Sequence, residues 1–113
     1  MRCDIGHELQ CLYFDAGESI EIIINLFRDG AAFDASGLTA ELKLIDYINR
    51  DVPVLSVHCT TLNSEGIWSI VSNLKPTDTE NLFGKYIYQI TLTDVDKCVE
   101  ILKGNMILYR SYK

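Results

Sequence analysis

Three stretches of this chain alternate apolar and polar residues with a period of two, and that period constrains the fold more than any other feature of the sequence. In Ser19–Phe27 the even positions Ile20, Ile22, Ile24 and Leu26 are apolar, while their neighbours include Ser19, Glu21 and Asn25. Leu38, Ala40, Leu42 and Leu44 alternate with Thr39, Glu41 and Lys43, and Tyr86, Tyr88, Ile90 and Leu92 lie opposite Lys85, Gln89, Thr91 and Thr93. Successive side chains of an extended chain point to opposite faces. Each stretch therefore reads as a strand with one face on a core and the other in water, the habit of antiparallel sheets.

Weaker strands are predicted at Leu9–Phe14, Val54–Thr61, Gly66–Val71, Val99–Leu102 and Asn105–Tyr112. Turn signals separate them: Asp15-Ala16-Gly17, Arg28-Asp29-Gly30, Asp34-Ala35-Ser36-Gly37, Asn49-Arg50-Asp51, Asn63-Ser64-Glu65-Gly66 and Lys103-Gly104-Asn105. Asp29-Gly30 suits a reversal that needs positive φ. The expected fold is all-β, an antiparallel β-sandwich of seven to eight strands, with a small barrel as second choice and at most one short helical turn. That turn is predicted at Asp78–Gly84, acidic near its start and ended by Gly84. Thr93–Leu102 reads two ways. Val95, Cys98, Val99 and Leu102 fall at helical spacing, but Val99–Leu102 can also be a strand paired with Asn105–Tyr112 through a tight Lys103-Gly104 turn.

A length of 113 residues fits one domain, 1–113, with 1–14 as a loosely attached arm or extra strand. The net charge of −6 disfavours nucleic acid as a partner, and along the sequence no run of Lys or Arg reverses it. No stretch approaches the ~18 apolar residues of a membrane span. Arg2, Asp4, His7 and Glu8 stand where a signal peptide needs a continuous apolar run, so the expectation is a protein made and kept in the cytoplasm.

Candidate chemistry is sparse. Cys3, Cys11, Cys59 and Cys98 are expected as free thiols in a reducing compartment, the last three acting as small apolar residues. A Cys3–Cys11 disulfide would close a short loop in an oxidising one. Cys3, His7 and Cys11, spaced by four, would share a face only on a helix, and zinc needs a fourth ligand from His58, Cys59 or Cys98. Adjacent strand residues His58 and Cys59 point to opposite faces and cannot readily form a nucleophile pair. The many aspartates sit mostly at turns, where capping the backbone is their ordinary work. Asp94–Asp96 lacks the ligand count of a known calcium loop. No phosphate loop, nucleophile elbow or zinc-protease helix is present. The expectation is no catalytic, cofactor or metal residue and no enzyme, a small hydrolase using Cys59 or a carboxylate pair being the remotest reading. Trp68, Tyr86 and Tyr88 are expected in packing, and Tyr109 and Tyr112 at an interface.

One order of elements carries a resemblance. Glu18–Phe27 runs into Arg28-Asp29-Gly30; Phe33-Asp34-Ala35-Ser36-Gly37 and a second alternating strand follow. Later come Gly66-Ile67-Trp68-Ser69-Ile70, then Thr79–Ile90 with Gly84-Lys85-Tyr86-Ile87-Tyr88, and finally Leu102-Lys103-Gly104 with a last strand. From about Gly17 to Ser111 this resembles the immunoglobulin-like module at the N-terminus of bacteriophage baseplate upper proteins and related tail and head-fibre proteins, with Ala35 where that family usually has leucine.

The resemblance implies an immunoglobulin-like β-sandwich in a phage or prophage virion structural protein. Such a module would be an adaptor or decorating part of tail, baseplate or capsid, acting by protein–protein docking. The family module usually continues into a fibre or receptor-binding region, whereas this sequence stops at Lys113, so a stand-alone role is expected over host-receptor binding. Expected partners are other virion proteins and further copies of the chain, as in a trimer, with no nucleic acid and no membrane; the expected location is the virion, assembled in the bacterial cytoplasm. The strand Asn105–Tyr112 and the edge Val54–Thr61 are the expected contacts. The alternative is a carbohydrate- or protein-binding β-module of a bacterial cell-surface system.

Overall fold

The computed structural model describes residues 2–4, 8–95 and 97–110. Among these described residues nine strands and one short helix follow in order: β1 (Arg2–Asp4), β2 (Leu12–Asp15), β3 (Ile20–Arg28), β4 (Ala31–Ala32), β5 (Thr39–Asp46), β6 (Pro53–Ser64), β7 (Ile67–Leu74), α1 (Pro76–Thr79), β8 (Gly84–Asp94) and β9 (Lys97–Tyr109). The fold is all-β, as the alternation requires. The strands join in the order β1-β3-β7-β6-β5-β8-β9-β2, with β4 added to β3, and this sheet curls into a half-barrel.

Its continuity depends on β6. The first half of that strand pairs with β5, from Pro53 to Cys59, and the second half pairs with β7, from Thr60 to Ser64. One long strand thus belongs to both walls. The inward residues of β3 (Ile20, Ile22, Ile24, Leu26), β5 (Ala40, Leu42, Leu44) and β8 (Tyr86, Tyr88, Ile90, Leu92) meet in a single buried cluster with Ile70, Leu74, Leu102, Met106 and Leu108. Curling the sheet is what lets one set of alternate residues become a shared core.

The sheet is mixed and not strictly antiparallel. β1 runs parallel to β3, and β2 runs parallel to β9. Hairpin-connected strands must be antiparallel, but β1 and β2 pair with strands far along the chain, so no tight turn dictates their direction.

The strand reading of Thr93–Leu102 holds, yet its predicted partner does not. No turn forms at Lys103-Gly104-Asn105; β9 runs straight through, and its whole length lies against β8, from Asp94↔Lys97 to Gly84↔Leu108. Gly104 answers to packing. It pairs with Tyr88, and a Cβ built on it would sit 2.6 Å from the tyrosine Cζ. That glycine leaves room for the ring, which lies fully buried and donates its hydroxyl proton to the Gln10 carbonyl.

The reversal that the helical spacing obscured is the β8–β9 hairpin. Val95 there has φ +55°, in the left-handed region, and is almost fully exposed. A β-branched residue pays for that conformation without gaining burial. Val95→Gly is expected to raise stability by about 1 kcal/mol, read as a higher urea midpoint with an unchanged slope; a lower midpoint would mean that the side chain contributes packing.

Asp29-Gly30 behaves as predicted, with φ of +52° and +82° in a two-residue turn between Arg28 and Ala31. The helical turn begins two residues earlier than expected. Pro76 presets the first turn, and the Asp78 carboxylate accepts the Lys75 N–H at 2.8 Å. Gly84 ends no helix and instead opens β8. Thr79 is fully buried, and its hydroxyl accepts the Gly17 N–H at 3.0 Å, which ties the helix to the β2–β3 turn.

Candidate interaction surfaces

Among the described residues, the cysteines and histidines do not converge. His7, Asp96 and Tyr112 lie outside the described residues. Cys11 is a free, half-buried thiol just before β2. Among the described residues no three His, Cys, Asp or Glu side chains are grouped so as to hold a metal ion. Cys98 pairs with Thr93 in β9. His58 is exposed while Cys59 packs against the core, on opposite faces of β6.

Burial raises the Cys59 thiol above its ordinary value of 9.0, an effect that the Ser72 hydroxyl partly offsets. Ser72 is itself buried, and its hydroxyl finds no ordinary hydrogen-bond partner; a thiol is a weak one. Cys59 should therefore react slowly with iodoacetamide at pH 8 in the native protein and quickly in denaturant, measured by peptide mass spectrometry. Because its pKa is raised on folding, the associated stability is present below the unfolded thiol's value and is lost as pH rises through the folded one. Fast native alkylation would contradict the burial.

The aromatic residues divide into two groups. Tyr86 and Tyr88 belong to the core, and Trp68 packs beside it. Tyr109 is 51% exposed and stacks on Tyr13, 58% exposed, with ring centroids 6.4 Å apart and planes 17° from parallel. The stack exists because β2 lies along β9, pairing Tyr13 with Ile107 and Asp15 with Tyr109. The strand Asn105–Tyr112, an expected contact, is not itself the sheet margin along Met106–Tyr109: β2 covers it there, and the outer margin is β2. Close by, the Arg110 guanidinium stands 4.3 Å over the ring of Phe83, which is also exposed. Exposed Tyr, Phe and Arg side chains together have the composition found at protein interfaces. The second expected edge is present in halves, since each half of β6 has one strand partner among the described residues.

A third surface could not be anticipated from the sequence. On the outward face of the β5–β8–β9 wall, cross-strand register places Lys43, Gln89 and Lys103 in one row and Ile45, Ile87 and Asn105 in the next. Beside them Tyr47 carries two cations against its ring, Lys85 at 4.1 Å and Arg50 at 4.8 Å. Arg50 Nε also donates to the Tyr47 carbonyl at 3.0 Å, and the Asp46 carboxylate accepts the N–H groups of Ile48 and Asn49, which holds the loop in shape. A hollow of about 470 Å³ opens between this loop, the two rows and the Glu8–Leu9 segment. The sequence contains no Lys/Arg run, yet the register gathers Arg50, Lys85 and Lys103 on one face.

No protein-family model matches the chain, and no curated protein matches it in sequence. Among solved structures, the NK cell receptor Nkp44 matches 90% of this chain over 99% of its own at a TM-score of 0.41 and 11% identity, a likeness too distant to carry an argument. The fold is similar to that of the N-terminal domain of phage TP901-1 ORF48, at a TM-score of 0.60 and 10% identity, over 96% of this chain and 90% of that one.

Proposed function

We propose that this chain is a structural protein of a phage or prophage virion, an immunoglobulin-like adaptor or decorating module that docks on other virion proteins and catalyses nothing. The observation that carries the reading is the fold likeness to the phage TP901-1 ORF48 domain, which extends over nearly the whole chain. It agrees with the independent resemblance of the turn and strand motifs from Gly17 onward to baseplate upper proteins. The Tyr13–Tyr109 stack with Phe83 and Arg110 supplies a surface suited to docking, against virion neighbours or further copies in a ring or trimer.

The test is to induce the producing lysogen, purify particles by density gradient, and quantify the protein by mass spectrometry. The protein should co-purify with particles at a fixed ratio to a major tail or capsid protein. Replacing Tyr13 and Tyr109 by serine should release it into the soluble fraction while leaving its fold intact. Absence of the native protein from particles, despite its abundance in the lysate, would overturn the reading.

A further inference from the structure

We propose that the hollow on the outer face of the β5–β8–β9 wall is a binding site for a sugar that bears an acidic group, a carboxylate or a phosphate. The volume, about 470 Å³, falls in the ordinary range of small-ligand sites, about 300–1,000 Å³. Its floor is formed by Ile45, Ile87 and the Gly104 backbone. Around that floor stand Glu8, Tyr47, Arg50, Gln89, Lys103 and Asn105. The amides and the carboxylate donate and accept in fixed planes, as a ring of hydroxyl groups demands.

The charges make the second part of the argument. Arg50 and Lys103 line the hollow and Lys85 flanks it through Tyr47, against a single carboxylate, Glu8. None of the three cations has a carboxylate within ion-pair distance among the described residues, although the chain as a whole is acidic at −6. By contrast, Lys43, in the same row but outside the hollow, and Arg28 on β3 are paired, with Glu41 and Glu100 at 3.5 Å each. Arg50 is held against Tyr47 by both its ring and its carbonyl, so its guanidinium is positioned before any anion arrives. Tyr47 is engaged by these cations, which favours recognition by ions and amides over stacking of a sugar on an open ring. A protein partner fits less well, because lysine is depleted at protein interfaces.

The test uses the full chain, labelled with nitrogen-15, titrated separately with digalacturonate, glucose 6-phosphate and neutral maltose. At least one acidic sugar should bind with shifts centred on Gln89, Lys103 and Asn105, and the stronger of the two identifies the acidic group. Maltose should bind at least about tenfold more weakly, and added salt should weaken the acidic ligand. Arg50→Gln and Lys103→Gln should each lower affinity about tenfold while thermal unfolding stays unchanged. Equal binding of maltose would overturn the proposal, as would shifts centred elsewhere or no binding by either acidic sugar. Tighter saturation of the same residues by a short oligothymidylate would overturn it too, pointing to a phosphodiester chain.

Discussion

Gly104→Ala is expected to destabilise the protein by about 2–3 kcal/mol, the reverse of what a strand interior normally shows. Glycine usually weakens a strand, and alanine relieves the entropic cost. Here the added methyl group would lie 2.6 Å from Tyr88 Cζ and 2.7 Å from its hydroxyl oxygen. A flexible side chain at the surface would swing aside. Tyr88 cannot, because it is fully buried and its hydroxyl is bonded to the Gln10 carbonyl. The displaced ring would also lose its hold on the segment that reaches β9 through the Leu9 N–H to Lys103 carbonyl bond at 2.8 Å. A double-mutant cycle isolates the cause. In a Tyr88→Leu background, Gly104→Ala should cost under about 1 kcal/mol, a coupling of the size seen for touching residues. Urea denaturation of the four proteins measures it, and an equal cost in both backgrounds would rule out the ring as the obstacle.

The second large effect contrasts two neighbours. Ile24→Ala should cost about 3–4 kcal/mol, since a fully buried aliphatic side chain leaves both lost transfer energy and a cavity. Ile23→Ala, one residue away on the same strand, should cost under about 1 kcal/mol, because Ile23 faces outward and is 43% exposed. The ratio tests the period-two register of β3 against β7, where Ile24 pairs with Ile70 and Ile23 with Val71. Similar losses at the two positions would mean that both faces of β3 are packed.

Much of the architecture is legible in the chain because the sheet's inner face is written as alternate residues. Ile20 to Leu26, Ala40 to Leu44 and Tyr86 to Leu92 are each buried in that rhythm. The turns at Asp29-Gly30 and Glu65-Gly66 are legible for a different local reason, since positive φ selects glycine, present at the second position of each, and tolerates aspartate, as at Asp29. Asp34 is a further case: its carboxylate accepts the Ser36 N–H at 2.9 Å, a bond that holds its pKa below the usual carboxylate range.

Local chemistry misled at Lys103-Gly104-Asn105, where a glycine in a turn-like context serves a ring on the next strand. Only the pairing of β8 with β9 decides between those uses of glycine. The same limit hid both candidate surfaces. The Tyr13–Tyr109 stack needs β2 to lie along β9, and the cationic hollow needs Tyr47, Lys85 and Lys103 from three elements to share one face. Alternation tells each strand which side is wet. It carries no information about which strands become neighbours, because that choice is made by the packing of the whole sheet, and it is the neighbours that build a surface.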